Sequence, residues 1–428
     1  MDFLVQQNLA KKNLILIDIG LSEVKVIVVN VLKGKIKIST AFKIENAYRY
    51  FSGNDLNMIS ELVKEIHDRL KENGVKAKEV RIILPDVCTQ HKFIEAKAVK
   101  DKELASYIMN EAGSMLSKAA STINCTDWCV LSSSDSGEES IKQCMVYSIP
   151  RKISYGLASE FEKLKYTVTV MSTTILSMRG IYDLYKADYE NPVQLFVDFG
   201  STSIRMYVVN SGSLVFLREF HSGGRAAANE IYDELTKNNS ESVVDVNLDR
   251  RGLYELLTKV GVRLVGMQDS SGYTDYSSAG YGDNLGSSDA SMYGDMGYSD
   301  NITGNNGNTT DNPENEEYLQ LLYDRGIDPV TYNAEVERHY DQFISEIIKT
   351  LDFCNSGLNK PTKILYMGNI KKVGGFVERL KESIDLEVEE IDLGTHNSGS
   401  GYTIDNNTGN KLDSSFANAL GAGIDLLI

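Results

Sequence analysis

The chain has 428 residues, 42% hydrophobic and 24% charged: ordinary globular composition, and long enough for two or three domains. Its 60 acidic and 44 basic residues give a formal charge of -16, which argues against a nucleic-acid backbone or an anionic membrane surface as the primary contact. Five scattered cysteines suggest no disulfide framework, and no apolar run reaches the ~18 residues of a membrane span, so a reducing cytoplasm and no direct membrane insertion are expected.

In chain order, residues 1–12 read as a short capping segment. Residues 14–30 (LILIDIGLSEVKVIVVN) are a β-branched run, then Asp-x-Gly, then a second run, which predicts strand, tight turn and strand. A third strand is expected at 35–42. Residues 55–73 place Leu56, Ile59, Leu62, Val63, Ile66 and Leu70 on one helical face, with Gly74 as the stop. Residues 80–84 read as a strand ended by Pro85. Residues 88–166 read strand, helix (101–118), strand, strand (143–149) and helix (152–165). A further helix is expected at 172–186.

Residues 194–210 (QLFVDFGSTSIRMYVVN) then repeat the first motif at an offset of 180 with no gap. Asp18 matches Asp198, Gly20 matches Gly200, and Val28-Val29-Asn30 matches Val208-Val209-Asn210. Lys25 and Arg205 are similar. A third strand again follows, at 214–221. Two hairpins of one design, each heading half of the chain, predict a duplicated α/β domain with lobes at 1–190 and 191–428. Later expectations are a long amphipathic helix at 335–355, a strand at 363–367, a helix from about residue 374 and a final helix at 414–428.

Two stretches stand apart. Between 264 and 324 there is no Lys or Arg, and about ten residues are acidic. Within that stretch, 266–316 is rich in Gly, Ser, Asp, Asn and Tyr, a composition that buries too little apolar surface to offset chain ordering, so disorder is expected. Residues 394–412 read as a second flexible loop. Closing a long surface loop costs only about 0.6 kcal/mol per doubling of length. Deleting 268–313 should therefore leave the melting temperature nearly unchanged; a collapse on heating would show that the tyrosines of this stretch pack on the body.

Asp-x-Gly at a hairpin tip has a physical use. The glycine lets backbone amides approach a phosphate, and the aspartate at the strand end can hold a hydrated Mg²⁺. Two facing copies would clamp the phosphates of a nucleotide.

The paired motifs resemble the phosphate loops of the actin, hexokinase and DnaK-type ATPases. Their order along the chain resembles one branch, the PilM proteins of type IV pilus assembly, relatives of FtsA. That order is DIGLSEVK at 18–25, ILPDVCTQHKFIEAKAVKDKELASYIMNEA at 83–112 and DFGSTSIR at 198–205. It continues with SGG at 222–224, ILYMGNIKKVGGFVERLKE at 364–382 and SFANALGAGIDLL at 415–427. The resemblance implies an actin-like ATPase fold of two RNase-H-like lobes, with 88–166 as the inserted FtsA/PilM-type subdomain. It implies ATP with Mg²⁺ in the cleft, Asp18 and Asp198 serving the metal. Asp18, Gly20, Ser22 and Lys25 would form the first phosphate loop, and Asp198, Gly200, Ser201 and Thr202 the second. Gly223 and Gly224 would lie by the sugar, and Gly368 and Asn369 by the adenine. Implied partners are the cytoplasmic tail of a PilN-type inner-membrane protein and, directly or through it, the pilus motor ATPase. Homo-oligomers are compatible with this reading.

Three departures bear on chemistry. Leu21 stands where the family usually has Ser, and Gly368-Asn369-Ile370 replaces a run of three glycines. Met171-Ser172-Thr173-Thr174 offers no carboxylate or Gln to position water, so at most weak hydrolysis is expected. The alternatives are a nucleotide-free scaffold, an FtsA-like filament former and a sugar-kinase-like phosphotransferase. The second needs a membrane-binding helix beyond residue 428, and the third a catalytic carboxylate opposite the phosphates.

Overall fold

The computed structural model describes residues 12–32, 35–52, 55–97, 99–114, 124–136, 139–185, 192–238, 252–253, 256–257, 319–355, 360–369, 375–394, 396–397, 403–408 and 412–424. The stretch 266–316 and the end of the last helix, 425–428, lie outside them.

The first half runs β1 (Lys12–Ile19), β2 (Glu23–Leu32), β3 (Lys35–Glu45), the two-residue strands β4 (Phe51–Ser52) and β5 (Asp55–Leu56), α1 (Ile59–Glu72) and β6 (Glu79–Leu84). Then come β7 (Gln90–Lys97), α2 (Asp101–Glu111), β8 (Asn124–Ser136), β9 (Glu139–Pro150), α3 (Arg151–Lys163), β10 (Thr167–Thr173) and α4 (Thr174–Tyr185). The second half runs β11 (Val193–Phe199), β12 (Ile204–Asn210), β13 (Ser213–Phe220), α5 (Gly224–Asn238), α6 (Pro329–Asn355), β14 (Lys363–Gly368), α7 (Phe376–Ser383) and β15 (Glu387–Glu390). The hairpin β16 (His396–Asn397) and β17 (Thr403–Asn406) and the helix α8 (Ala417–Ile424) follow.

The repeat is structural. One sheet is ordered β10-β6-β1-β2-β3-β17-β16 and the other β13-β12-β11-β14-β15. In each, an antiparallel meander carries two further strands parallel to its first one. Asp18 pairs with Lys25 across β1–β2, and Asp198 with Arg205 across β11–β12. Even the irregularity recurs: the meander register shifts at Val28/Val29 in one copy and at Val208/Val209 in the other.

Strand alternation sends the side chains to two cores per sheet. Ile15, Ile17 and Ile19 face α1 and α3, whereas Leu14 and Leu16 face α4 and α8. In the second sheet Leu195, Val197 and Phe199 face α5, α6 and α7, while Phe196 and Tyr207 share the core of α4 and α8. Those two helices are thus sandwiched between the sheets and join the halves through one continuous apolar cluster.

Several boundaries differ from expectation. The inserted unit is smaller than 88–166: β7, β8 and β9 form their own sheet, with Ile94, Leu104, Ile108, Cys144 and Val146 in a separate core. Helix α3 instead buries Ile153, Leu157 and Phe161 against the first lobe. Helix α6 begins at Pro329 rather than 335, because Asp328 caps it. The Asp328 carboxylate accepts from the Thr331 amide at 2.9 Å, and proline suits the first helical position. Part of 394–412, expected to be a flexible loop, is ordered: β17 runs parallel to β3 and returns the chain to the first sheet. Helix α8 follows it there, so the last described residues of the second half complete the first lobe.

Candidate functional site

A cleft between the lobes is lined by the two Asp-x-Gly turns. In each turn the glycine amide donates back to the chain, Gly20 to the Glu23 carbonyl and Gly200 to the Ser203 carbonyl, both at 3.0 Å. These bonds hold the turns tight at the ends of β1 and β11. Helix α5 starts on the second turn: the Gly224 amide donates to the Gly200 carbonyl at 3.2 Å, and the Arg225 amide to the Ser201 carbonyl at 2.8 Å. An α-helix N-terminus favours negative charge.

Asp18, Gly20, Ser22, Lys25, Asp198, Gly200, Ser201, Thr202, Gly224, Gly368 and Asn369 all line this one cleft. Gly223 does not. It packs flat behind the second turn, where a Cβ would lie 2.5 Å from the Gly200 carbonyl oxygen, so its role is to let the turn and α5 meet. Leu21 lines the cleft as a buried side chain, and Thr174, at the start of α4, lines it too.

Sequence reasoning missed four further groups. Asp86, Ser415 and Asn418 line the cleft, as does Arg205. Arg205 was legible in principle, because it stands at the repeat position of Lys25. Asp86 follows Pro85 in the turn after β6, and no spacing links it to the other site residues.

The cleft is densely charged. Lys25 pairs with Asp18 at 3.4 Å. Burial alone would lower its pKa, but the Asp18, Glu23 and Asp198 carboxylates outweigh that and raise it. Arg205 pairs with Asp86, with Asp198 at 3.3 Å and with Glu219 at 3.4 Å. Burial pushes the Asp198 carboxyl up to about 6, with the neighbouring Asp18 charge adding to the shift; hydrogen bonding from Asn418 and the charge of Lys25 offset it in part.

Two more contacts cross between the lobes: Asn369 Nδ2 donates to Glu23 Oε2 at 3.1 Å, and Asn418 Nδ2 to Asp198 Oδ2 at 3.3 Å. Two buried carboxylates, Asp18 and Asp198, beside backbone turns form a hard oxygen-donor set. That set suits Mg²⁺, which prefers carboxylate, water and phosphate oxygens.

Two sheets that repeat one five-strand topology, joined by shared helices and closing Asp-x-Gly turns on a cleft, define an actin-like ATPase fold. The family model described as type IV pilus assembly protein PilM matches residues 16–245. The chain belongs to that family. Its fold is similar to that of a structure described as a PilM–PilN type IV pilus biogenesis complex, with TM-score 0.65, 13% identity, and 98% of this chain and 100% of that one covered. A more distant likeness is to the ethanolamine utilization protein EutJ from Carboxydothermus hydrogenoformans, with TM-score 0.40, 7% identity, and 99% and 91% of the two chains covered. Another is to a Bacteroides thetaiotaomicron protein of actin-like ATPase fold and unknown function, with TM-score 0.31, 10% identity, and 55% and 78% covered. No curated protein matches the chain.

Proposed function

We propose that this protein is a cytoplasmic scaffold of type IV pilus assembly that holds Mg-ATP in its interlobe cleft and docks the cytoplasmic tail of a PilN-type inner-membrane protein. The observation that carries the nucleotide half is the convergence of both Asp-x-Gly turns on one cleft. Asp18 and Asp198 would hold the metal, the two turns and the start of α5 the phosphates, and Gly368 and Asn369 the base. Mg²⁺ would neutralise phosphate charge there. Calorimetry tests this: Asp18→Ala and Asp198→Ala should each weaken Mg-ATP binding at least ~tenfold, or ~1.4 kcal/mol. Equal affinity in all three proteins would remove the clamp, and no binding by wild type would favour a nucleotide-free scaffold.

Turnover should be slow. Thr174, at the head of α4, brings neither a carboxylate nor an amide to the cleft to position water. A steady-state rate within the ~1–10³ per second of ordinary enzymes would contradict this.

For the partner half, no helix among the described residues is long and apolar enough to cross a membrane. Membrane recruitment would then run through the PilN-type protein, and contact with the motor ATPase through the same assembly. An extended tail would dock between the first lobe and the inserted sheet, with backbone hydrogen bonds supplying affinity. Fluorescence anisotropy with the labelled tail reads it; a full chain that leaves the tail unbound refutes the docking.

A further inference from the structure

Arg205 is the best-connected charge in the cleft, and its contacts divide by origin. Asp198 and Glu219 are its neighbours on the adjoining strands β11 and β13, and Ser203 Oγ, which accepts from Nη2 at 2.9 Å, lies two residues away on the same chain segment. Asp86 belongs to the other lobe. It opens the short turn Asp86–Cys88 between β6 and β7, the joint from which the inserted sheet leaves the first lobe. The repeat mate of Arg205, Lys25, pairs with Asp18 of its own hairpin.

We propose that Arg205 is the phosphate-reading residue of the cleft: a bound phosphate chain draws its guanidinium from Asp86, and the release of Asp86 loosens the joint of the inserted subdomain. The inference rests on the reading of the cleft as a nucleotide site.

The physical reasons are these. A guanidinium presents five donors in a fixed fork and matches phosphate oxygens in pairs, so a polyphosphate in the cleft competes directly with a single carboxylate. Asp198 and Glu219 remain beside Arg205 in either state, because the sheet holds them there. Asp86 does not. Its side chain is only 11% exposed, and neither carboxylate oxygen accepts an aligned hydrogen bond, so the charge of Arg205 is what compensates it. Without that charge a buried carboxylate is strongly unfavourable. The Asp86–Cys88 turn then gains by moving towards water, and β7 is attached two residues beyond its end. Arg205 therefore converts phosphate occupancy into mobility of the subdomain joint.

The test uses the full chain with Mg-ATP, Mg-ADP and adenosine as probes, amide hydrogen exchange over residues 86–97 and calorimetry. In wild type, Mg-ATP and Mg-ADP should speed exchange across 86–97, and adenosine, which lacks phosphate, should not. Asp86→Asn removes the competitor and the buried charge together: Mg-ATP should bind about tenfold tighter, and exchange across 86–97 should stay slow with or without nucleotide. Arg205→Gln leaves Asp86 uncompensated, so 86–97 should exchange rapidly without nucleotide; Mg-ATP binding should weaken and the nucleotide-dependent difference in exchange should vanish. A residue that merely supports the fold would not make Asp86→Asn bind more tightly. If wild type binds Mg-ATP but exchange at 86–97 ignores it, the inference falls while the nucleotide reading stands. If wild type binds no Mg-ATP, both fall, and the titration alone shows it. The wild-type exchange measurement needs no variant, so a misfolded substitution cannot rescue the idea.

Discussion

Alanine at Gly421 should destabilise the protein by about 3 kcal/mol or more, read from the shift in its urea midpoint, and should weaken Mg-ATP binding at the same time. Helix α8 crosses α4 at this residue. A Cβ on Gly421 would sit 2.0 Å from the Ser177 carbonyl oxygen and 3.2 Å from Ile181 Cγ1. The nearer obstacle is backbone, so no side-chain rotation relieves it. Nor can the helices simply part: they fill the apolar cluster that both sheets share, with Leu16 of the first sheet on one side and Phe196 and Tyr207 of the second on the other. The cleft feels the same displacement. The Ser177 hydroxyl lies 3.4 Å from Asn418 Oδ1, and Asn418 in turn donates to Asp198. Gly113 is the matched control. A Cβ there meets nothing within 4 Å, so Gly113→Ala should stay within about 0.5 kcal/mol of wild type.

The link between that helix crossing and the cleft shows what a linear reading can and cannot reach. The sequence of α8 is plainly a buried helix, rich in alanine and glycine, but nothing in it says that its packing partner is α4, more than two hundred residues earlier. The same limit hid β17. Thr403–Asn406 is a four-residue strand in a polar stretch, and pairing with β3 on one side and β16 on the other makes it one. Strand β15 (Glu387–Glu390) is equally unpromising by composition and exists because β14 offers an edge. Strand β10 was hidden differently, by a threonine- and serine-rich run that leads straight into a helix. The duplicated hairpin was legible because each copy is local: alternation and turn fall within seventeen residues, and the offset of 180 between the copies carries over to the register shift in each meander. Asp86 was not legible because its importance comes from Arg205, which reaches it across the cleft. Arg205 itself needed only the symmetry to be pressed one residue type further, from Lys25 to its mate.

Asp198→Asn should move stability and binding in opposite directions. Asp198 is 4% exposed, and burial raises its carboxyl from an ordinary 3.8 to about 6. The folded protein therefore holds this proton more tightly than the unfolded chain does. Stability attached to the group is fully present below about pH 4 and is lost as pH rises through about 6, which leaves the ionised carboxylate as a cost at neutral pH. Two pKa units correspond to roughly 3 kcal/mol, and the remaining neighbours moderate the gain, so asparagine should stabilise the unliganded protein by roughly 1–3 kcal/mol at pH 7.5. Arg205 keeps Asp86 and Glu219, and Asn418 still finds an acceptor oxygen, so no new unpaired charge arises. The advantage should shrink as the pH is lowered from 6 to 4, which separates it from a generic packing effect. Binding should go the other way, with Mg-ATP affinity down at least ~tenfold once the carboxylate is gone. A variant less stable than wild type at pH 7.5, or one more stable by the same margin at pH 4, would show that burial is not what governs Asp198. The wild-type sequence then reads as a trade at one position: a carboxylate that weakens the empty cleft is kept where a metal and phosphates would stabilise it.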